Sequence, residues 1–177
     1  MINETIKKNA IKYGIITALI SVFATTIMYS IDLSLFVNMW IGFGLLGFFL
    51  IIGIILLFNT KKDLQGNLSY KEAFTTYFIS ALIGVTVSTL FSILLFNVID
   101  TDARDQVSEL FIKSQVKMMQ KFGVPSKAIN ETITQLKENS QFSLKGLITG
   151  FFQSILGSII FGLILAAFFK TRRSSQE

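Results

Sequence analysis

The sequence predicts an all-α protein, a four-span transmembrane helical bundle with a two-helix extracytoplasmic segment between spans three and four. Three observations carry that prediction. Four apolar runs, Tyr13 to Ile31, Met39 to Phe58, Ala73 to Val98 and Leu147 to Phe169, contain no Asp, Glu, Lys, Arg or His. Each is close to the roughly 20 residues that a hydrocarbon core about 30 Å thick requires. The chain is 51% hydrophobic with a mean hydropathy of +0.61 and a single Pro, a composition that suits helices in lipid better than a small soluble domain. The basic residues, finally, bracket the apolar runs instead of forming one cluster.

That bracketing sets the orientation. Lys7, Lys8 and Lys12 precede the first run, Lys61, Lys62 and Lys71 lie between the second and third, and Lys170, Arg172 and Arg173 follow the fourth. The 32–38 segment has no Lys or Arg. The positive-inside rule therefore predicts a multi-pass membrane protein with N- and C-termini cytoplasmic. Residues 1–177 read as one membrane domain, with spans at 13–31, 39–58, 73–98 and 147–169 and an extracytoplasmic helical segment at 100–146. Its seven basic and six acidic residues weigh only weakly against translocation of so long a connection.

The first helix starts before the bilayer, since Glu4 to Lys12 contains no breaker, and runs to about Ser30. It follows a basic segment as a signal peptide would, yet no small-x-small cleavage site lies near its end, which predicts an uncleaved anchor. The short 32–38 turn makes spans one and two an antiparallel hairpin. Tyr29 and Trp40 fall near the outer interface, where amphipathic rings settle. The second span ends at Phe58 in a polar connection, Asn59 to Gly66. Ser69 with Glu72 three residues on is a capping box that starts the third helix.

In the 100–146 segment, Asp102 is a candidate cap and Asp105 is favourable in the first turn. Val107, Leu110, Phe111, Ser114, Met118 and Phe122 recur at helical spacing. Gly123 followed by Val-Pro ends this helix, because Gly tolerates the left-handed conformation and Pro cannot continue the ladder. Ser126 then caps a second helix with Ile129, Ile133 and Leu136 on one face. These apolar faces either fold on each other, lie on the bilayer, or present Phe111, Met118, Met119 and Phe122 to a partner, for which Met and Phe are adaptable contacts.

The strongest pattern is a ladder of small residues every fourth position. Span four reads Gly146, Gly150, Ser154, Ser158, Gly162, Ala166, span three Thr76, Ser80, Gly84, Ser88, Ser92, and span one more weakly Ala10, Gly14, Ala18. Small faces let helix backbones approach closely, and in lipid such packing replaces the missing hydrophobic drive between helices. The ladders serve either one bundle or contacts between subunits. Gly42-Phe-Gly44-Leu-Leu-Gly47 matches the dinucleotide string GxGxxG, but inside an apolar run it lacks the strand and helix that give the string meaning. Close packing in the outer half of span two is the expected use.

Chemistry is sparsely represented. There is no Cys and no His, which removes thiolates and the commonest metal ligand and general base. Asp100, Asp102 and Asp105 are more readily read as a helix start than as a weak cation site. Asn97 and Gln153 can hydrogen-bond across helices or line a solute path. The basic residues form no single stripe for nucleic acid, and the eighteen Phe read as lipid-facing bulk. No catalytic, metal or cofactor-binding residue is expected, and no cofactor.

Short motifs add a resemblance. Ile11-Lys-Tyr-Gly14 enters span one, Gly66-Asn-Leu-Ser-Tyr-Lys-Glu-Ala-Phe74 enters span three, Met-Met-x-x-Phe-Gly runs from Met118 to Gly123, and Lys170 and Arg172 follow the last span. The chain thereby resembles domain of unknown function 4199, a family of small bacterial integral membrane proteins. The resemblance implies a compact four-span protein of a bacterial inner membrane and brings no activity or catalytic residue with it. The expectation for function is a non-enzymatic accessory or assembly subunit acting through helix packing, with the lipid bilayer, a second copy or a membrane-protein partner as its contacts. A small channel or carrier for an uncharged or apolar solute is the alternative.

Overall fold

The computed structural model describes residues 3–171, so Arg172 and Arg173 lie outside the described residues. Six α-helices follow one another: α1 Glu4–Ile31, α2 Met39–Asp63, α3 Tyr70–Leu94, α4 Thr101–Lys121, α5 Ser126–Glu138 and α6 Leu144–Phe169. Among the described residues there is no strand. Helices α1, α2, α3 with its extension to Ile99, and α6 are 28, 25, 30 and 26 residues long and apolar enough to cross a membrane. Their outward surfaces agree with that reading: Trp40 is 84% and Phe168 81% exposed, and Leu19, Phe23, Phe43, Phe58, Leu90 and Phe152 are exposed as well. So much exposed apolar surface would be an aggregation hazard in water and is ordinary against acyl chains.

The element ends follow local chemistry. Asp32 accepts from the Ser34 amide at 2.8 Å and starts a one-turn 3-10 helix, Leu33–Val37, inside the turn between α1 and α2. The Asn38 side chain then accepts from the Trp40 amide and begins α2. At the end of α2, Gly66 N–H reaches the Lys61 carbonyl and Gln65 N–H that of Lys62. This closing pattern needs a left-handed residue, and Gln65 adopts φ 53° to supply it. Ser69 and Glu72 form the reciprocal capping box, with Ser69 N–H donating to Glu72 at 2.9 Å and Glu72 N–H to the Ser69 hydroxyl at 3.3 Å.

The last turn of the α3 segment, Leu95–Ile99, is a π-helix closed by Asp100 N–H on the Leu95 carbonyl. Asp100, not Asp102, caps α4: its carboxylate accepts from Ala103 N–H at 2.8 Å. Asp102 already lies in the helix. At the far end Gly123, at φ 70°, sends its N–H to Gln120 while Val124 N–H bonds Met119. Ser126 does not cap α5 either; Pro125 precedes the helix and no side chain bonds its first amides.

The chain forms two compact units. In the first, comprising 3–21, Leu45–Val87 and 153–171 of the described residues, Leu57, Leu68, Ala73 and Ala166 are fully buried, with Leu64, Phe74, Tyr77, Leu165 and Phe169 around them. Thr171 ties the end of α6 to the α2–α3 connection: its hydroxyl accepts from Leu68 N–H and donates to the Gly66 carbonyl, and its N–H donates to the Leu68 carbonyl. In the second unit, Val22–Gly44 with Ser88–Phe152, Leu95, Phe96, Ala103 and Val107 are buried beneath Leu33, Phe36, Val37 and Phe142. Phe36, Phe96 and Phe142 meet edge to face, with centroids 5.3 to 6.3 Å apart, the geometry that aromatic quadrupoles favour.

Candidate functional site

The small-residue ladders do not each serve a single neighbour. A step of four residues advances about 40° around an α-helix of 3.6 residues per turn, so a six-member ladder winds to the far side. On α6, Gly162 and Ala166 are buried, and a Cβ at Gly162 would stand 2.9 Å from the Tyr77 ring and 3.3 Å from Phe74. Ser158 is half-buried and its hydroxyl donates to the Ser154 carbonyl. Ser154 itself is exposed, and nothing lies within 4 Å of a Cβ built at Gly150 or Gly157. Gly146 is different again: a Cβ there would collide with the backbone of Ser140 and Gln141.

On α3, Ser80 and Gly84 are buried and Ser88 and Ser92 half-buried. A Cβ at Gly84 would sit 2.6 Å from the Thr17 hydroxyl, and one at Gly14 would sit 2.8 Å from Cβ of Ile83. Ala10, Gly14 and Ala18 of α1 are all buried. Thr17 can lie in this seam because its hydroxyl is satisfied by its own helix, donating to the Tyr13 and Gly14 carbonyls.

Gly53 and Tyr77 belong to the same packing and stand out in no ladder. The Tyr77 ring lies 2.6 Å from a Cβ at Gly53 and 2.9 Å from one at Gly162, so one flat ring fills the space two glycines leave. The signal for Gly53 was only an isolated glycine in an apolar helix. Conversely, a Cβ at Gly42, Gly44 or Gly47 would meet nothing within 4 Å, so the close packing expected of them is absent among the described residues.

Three asparagines within or beside the apolar runs are tied to partners remote in the chain. Asn9, 8% exposed, donates from Nδ2 to Asp63 at 2.8 Å and to Thr60 at 3.3 Å. Asn59 donates to the Tyr13 hydroxyl at 2.5 Å, and Asn97 donates to the Phe142 carbonyl at 3.2 Å. Gln153 is exposed on α6.

Asp100 and Asp105, at the start of α4, are engaged by neighbouring groups. The Ala103 amide, with the Tyr29 hydroxyl second, holds the Asp100 carboxyl below its ordinary range. Arg104 beside Asp105, at 2.8 Å, lowers that carboxyl also. Among the described residues no group of three or more His, Cys, Asp or Glu could hold a metal ion.

Of the residues expected to dock a partner, Phe111, Met118 and Met119 are half-buried and only Phe122 is largely free, at 78% exposure. Helix α5 packs on α4, burying Ile129 and half-burying Ile133 and Leu136. A 2.6 Å contact between the Ser108 and Ser140 hydroxyls joins α4 to the segment after α5.

No functionally curated protein and no solved structure matches the chain. The family described as protein of unknown function (DUF4199) matches over residues 12–171, from Lys12 within α1 to the Thr171 clasp. With that match covering nearly the whole length, the chain belongs to the DUF4199 family.

Proposed function

We propose that this protein is a non-enzymatic accessory or assembly subunit of a bacterial inner (plasma) membrane, with both termini cytoplasmic, the 100–146 segment extracytoplasmic, and association through an open face of α6. One observation carries the reading. Gly150, Gln153, Ser154 and Gly157 fall within a sector of about 100° on that helix. Gly150 and Gly157 have open space above them, and Gln153 and Ser154 are exposed. A primary amide offers two donors and two lone pairs, and facing hydrocarbon it gains from a partner; in measured membrane cases such a bond is worth roughly 0.6 to 2 kcal/mol. A second helix, from another copy or another membrane protein, can approach over the two glycines and supply it.

The channel reading gains no support from its two amides. Asn97 spends its N–H on the Phe142 carbonyl, and Gln153 is exposed on the helix surface.

The test is association of the wild type and of Gly150→Leu with Gln153→Leu in native membranes, read by cross-linking and by co-purification in mild detergent. A Cβ at Gly150 meets nothing within 4 Å, and an unchanged helical circular-dichroism signal and melting temperature of the variant assign a loss of association to the interface and not to folding. A wild type that recovers neither a second copy nor a membrane protein, or a variant that associates as before, defeats the proposal.

A further inference from the structure

We infer that the tip of the α4–α5 hairpin is an anchor for an anionic phospholipid surface, with Phe122 as the inserted ring and Lys117, Lys121 and Lys127 as the headgroup contacts. The tip is a defined structure. Val124 N–H on the Met119 carbonyl and Gly123 N–H on that of Gln120, both 3.0 Å, close the end of α4, and Pro125 stiffens the turn that follows. Phe122 is thus presented by a hydrogen-bonded cap, and its 78% exposure is built in.

Charge selects the occupant. Between Glu109 and Glu131 every ionisable side chain is a lysine: Lys113, Lys117, Lys121 and Lys127. Lys113 has a loose partner in Glu109 at 3.8 Å; among the described residues the other three are in no ion pair, and all three are exposed. Lys117 and Lys121 form one column at four-residue spacing, and Met118 and Phe122 form the next column, about 100° around the helix. A cationic column beside an apolar one is the arrangement of helices that lie at a membrane interface, where lysine stems run along apolar surface and their ammonium groups reach phosphate.

The apolar needs of the hairpin are met elsewhere. Ala103 and Val107 sit in the core of the second unit, and α5 turns Ile129 inward, which leaves Phe122 as the large apolar group without cover. From Val107 to Phe122 the helix runs about 22 Å, roughly two helix diameters, which gives the tip reach. A protruding ring among flexible cations suits a fluid anionic surface, which demands no fixed geometry. An acidic protein partner is the competing occupant.

The inference requires the membrane spans but not the α6 interface, so the two fail separately. The experiment places Phe122→Trp in a Trp40→Phe background of the full chain, Trp40 being the only native tryptophan. The protein is reconstituted in nanodiscs of brominated phosphatidylcholine, alone or mixed with brominated phosphatidylglycerol. Quenching at position 122 is expected to be roughly twofold or more stronger in the anionic discs and to fall to the zwitterionic level when Lys117, Lys121 and Lys127 become Gln. An unchanged helical circular-dichroism signal verifies folding. Equal weak quenching in both discs overturns the inference, as does quenching indifferent to loss of the lysines. A blue-shifted emission that brominated lipid does not quench assigns the tip to protein contact and overturns it too.

Discussion

The hydroxyl of Tyr29 donates to Oδ2 of Asp100 at 2.7 Å, joining the end of α1 to the carboxylate that caps α4. The same carboxylate takes the Ala103 amide and the phenol, and both hold it ionised. A group whose folded pKa is depressed adds stability above its unfolded value, about 3.9 for Asp, and loses it as the pH falls through the lower folded value. Tyr29→Phe is therefore expected to melt below the wild type near neutral pH, with the gap closing in acid below the ordinary carboxylate range. Thermal unfolding by circular dichroism across pH checks it; a gap that widens in acid refutes the assignment.

Glycine replacements should rank by what each Cβ meets. Gly162→Ala and Gly53→Ala press on the Tyr77 ring and should cost about 1–3 kcal/mol, the range for overpacking. Gly146→Ala meets backbone that cannot rotate away and should be at least as costly. Gly150→Ala meets nothing and should gain up to about 1 kcal/mol of helix propensity in the isolated protein. Unfolding in detergent gives the order, and a destabilising Gly150→Ala in a monomer would contradict it. Tyr77→Ala should partly rescue Gly162→Ala, since neighbours couple in a double-mutant cycle.

Asn9 bridges α1 to α2 through Thr60 and Asp63. Asn9→Ala removes both bonds from a position 8% exposed and is expected to cost about 1–2 kcal/mol. Thr60 keeps its own bond to the Leu56 carbonyl, so Thr60→Val on top of Asn9→Ala should add less than it costs alone. Strict additivity of the two changes would show that Asn9 acts through Asp63 only.

At the start of α3, Ser69→Ala deletes the acceptor for the Glu72 amide and should weaken the first turn by about 1 kcal/mol. Hydrogen exchange reads this directly: the Glu72 amide should exchange faster while the amides at Gly84 and beyond keep their protection. Uniform loss along the helix would mean that the cap stabilises the whole span.

Four-residue periodicity misleads where the neighbouring helix covers only part of a ladder. Ser80, Gly84, Gly162 and Ala166 were legible as packing residues because small side chains at helical spacing imply close backbones, and these four are buried. Gly150 and Ser154 carry the same spacing and face open space, since a four-residue step rotates around the helix. No string of letters reveals at which rung the neighbour stops. Tyr77 was invisible for a related reason: a ring seated on two glycines is defined by residues on three helices.

From the sequence alone came the four apolar helices, the capping box at Ser69 and Glu72, and the left-handed stop at Gly123, because span length, capping and φ preference are local properties. Only the tertiary structure decided that Asp100 caps α4 while answering Tyr29, that Thr171 clasps Leu68, and that the glycines at 42, 44 and 47 pack against nothing. Those outcomes depend on which groups, remote in the chain, come within a few ångströms. Distance in space is what a hydrogen bond and a van der Waals contact measure, and the sequence records only distance along the chain.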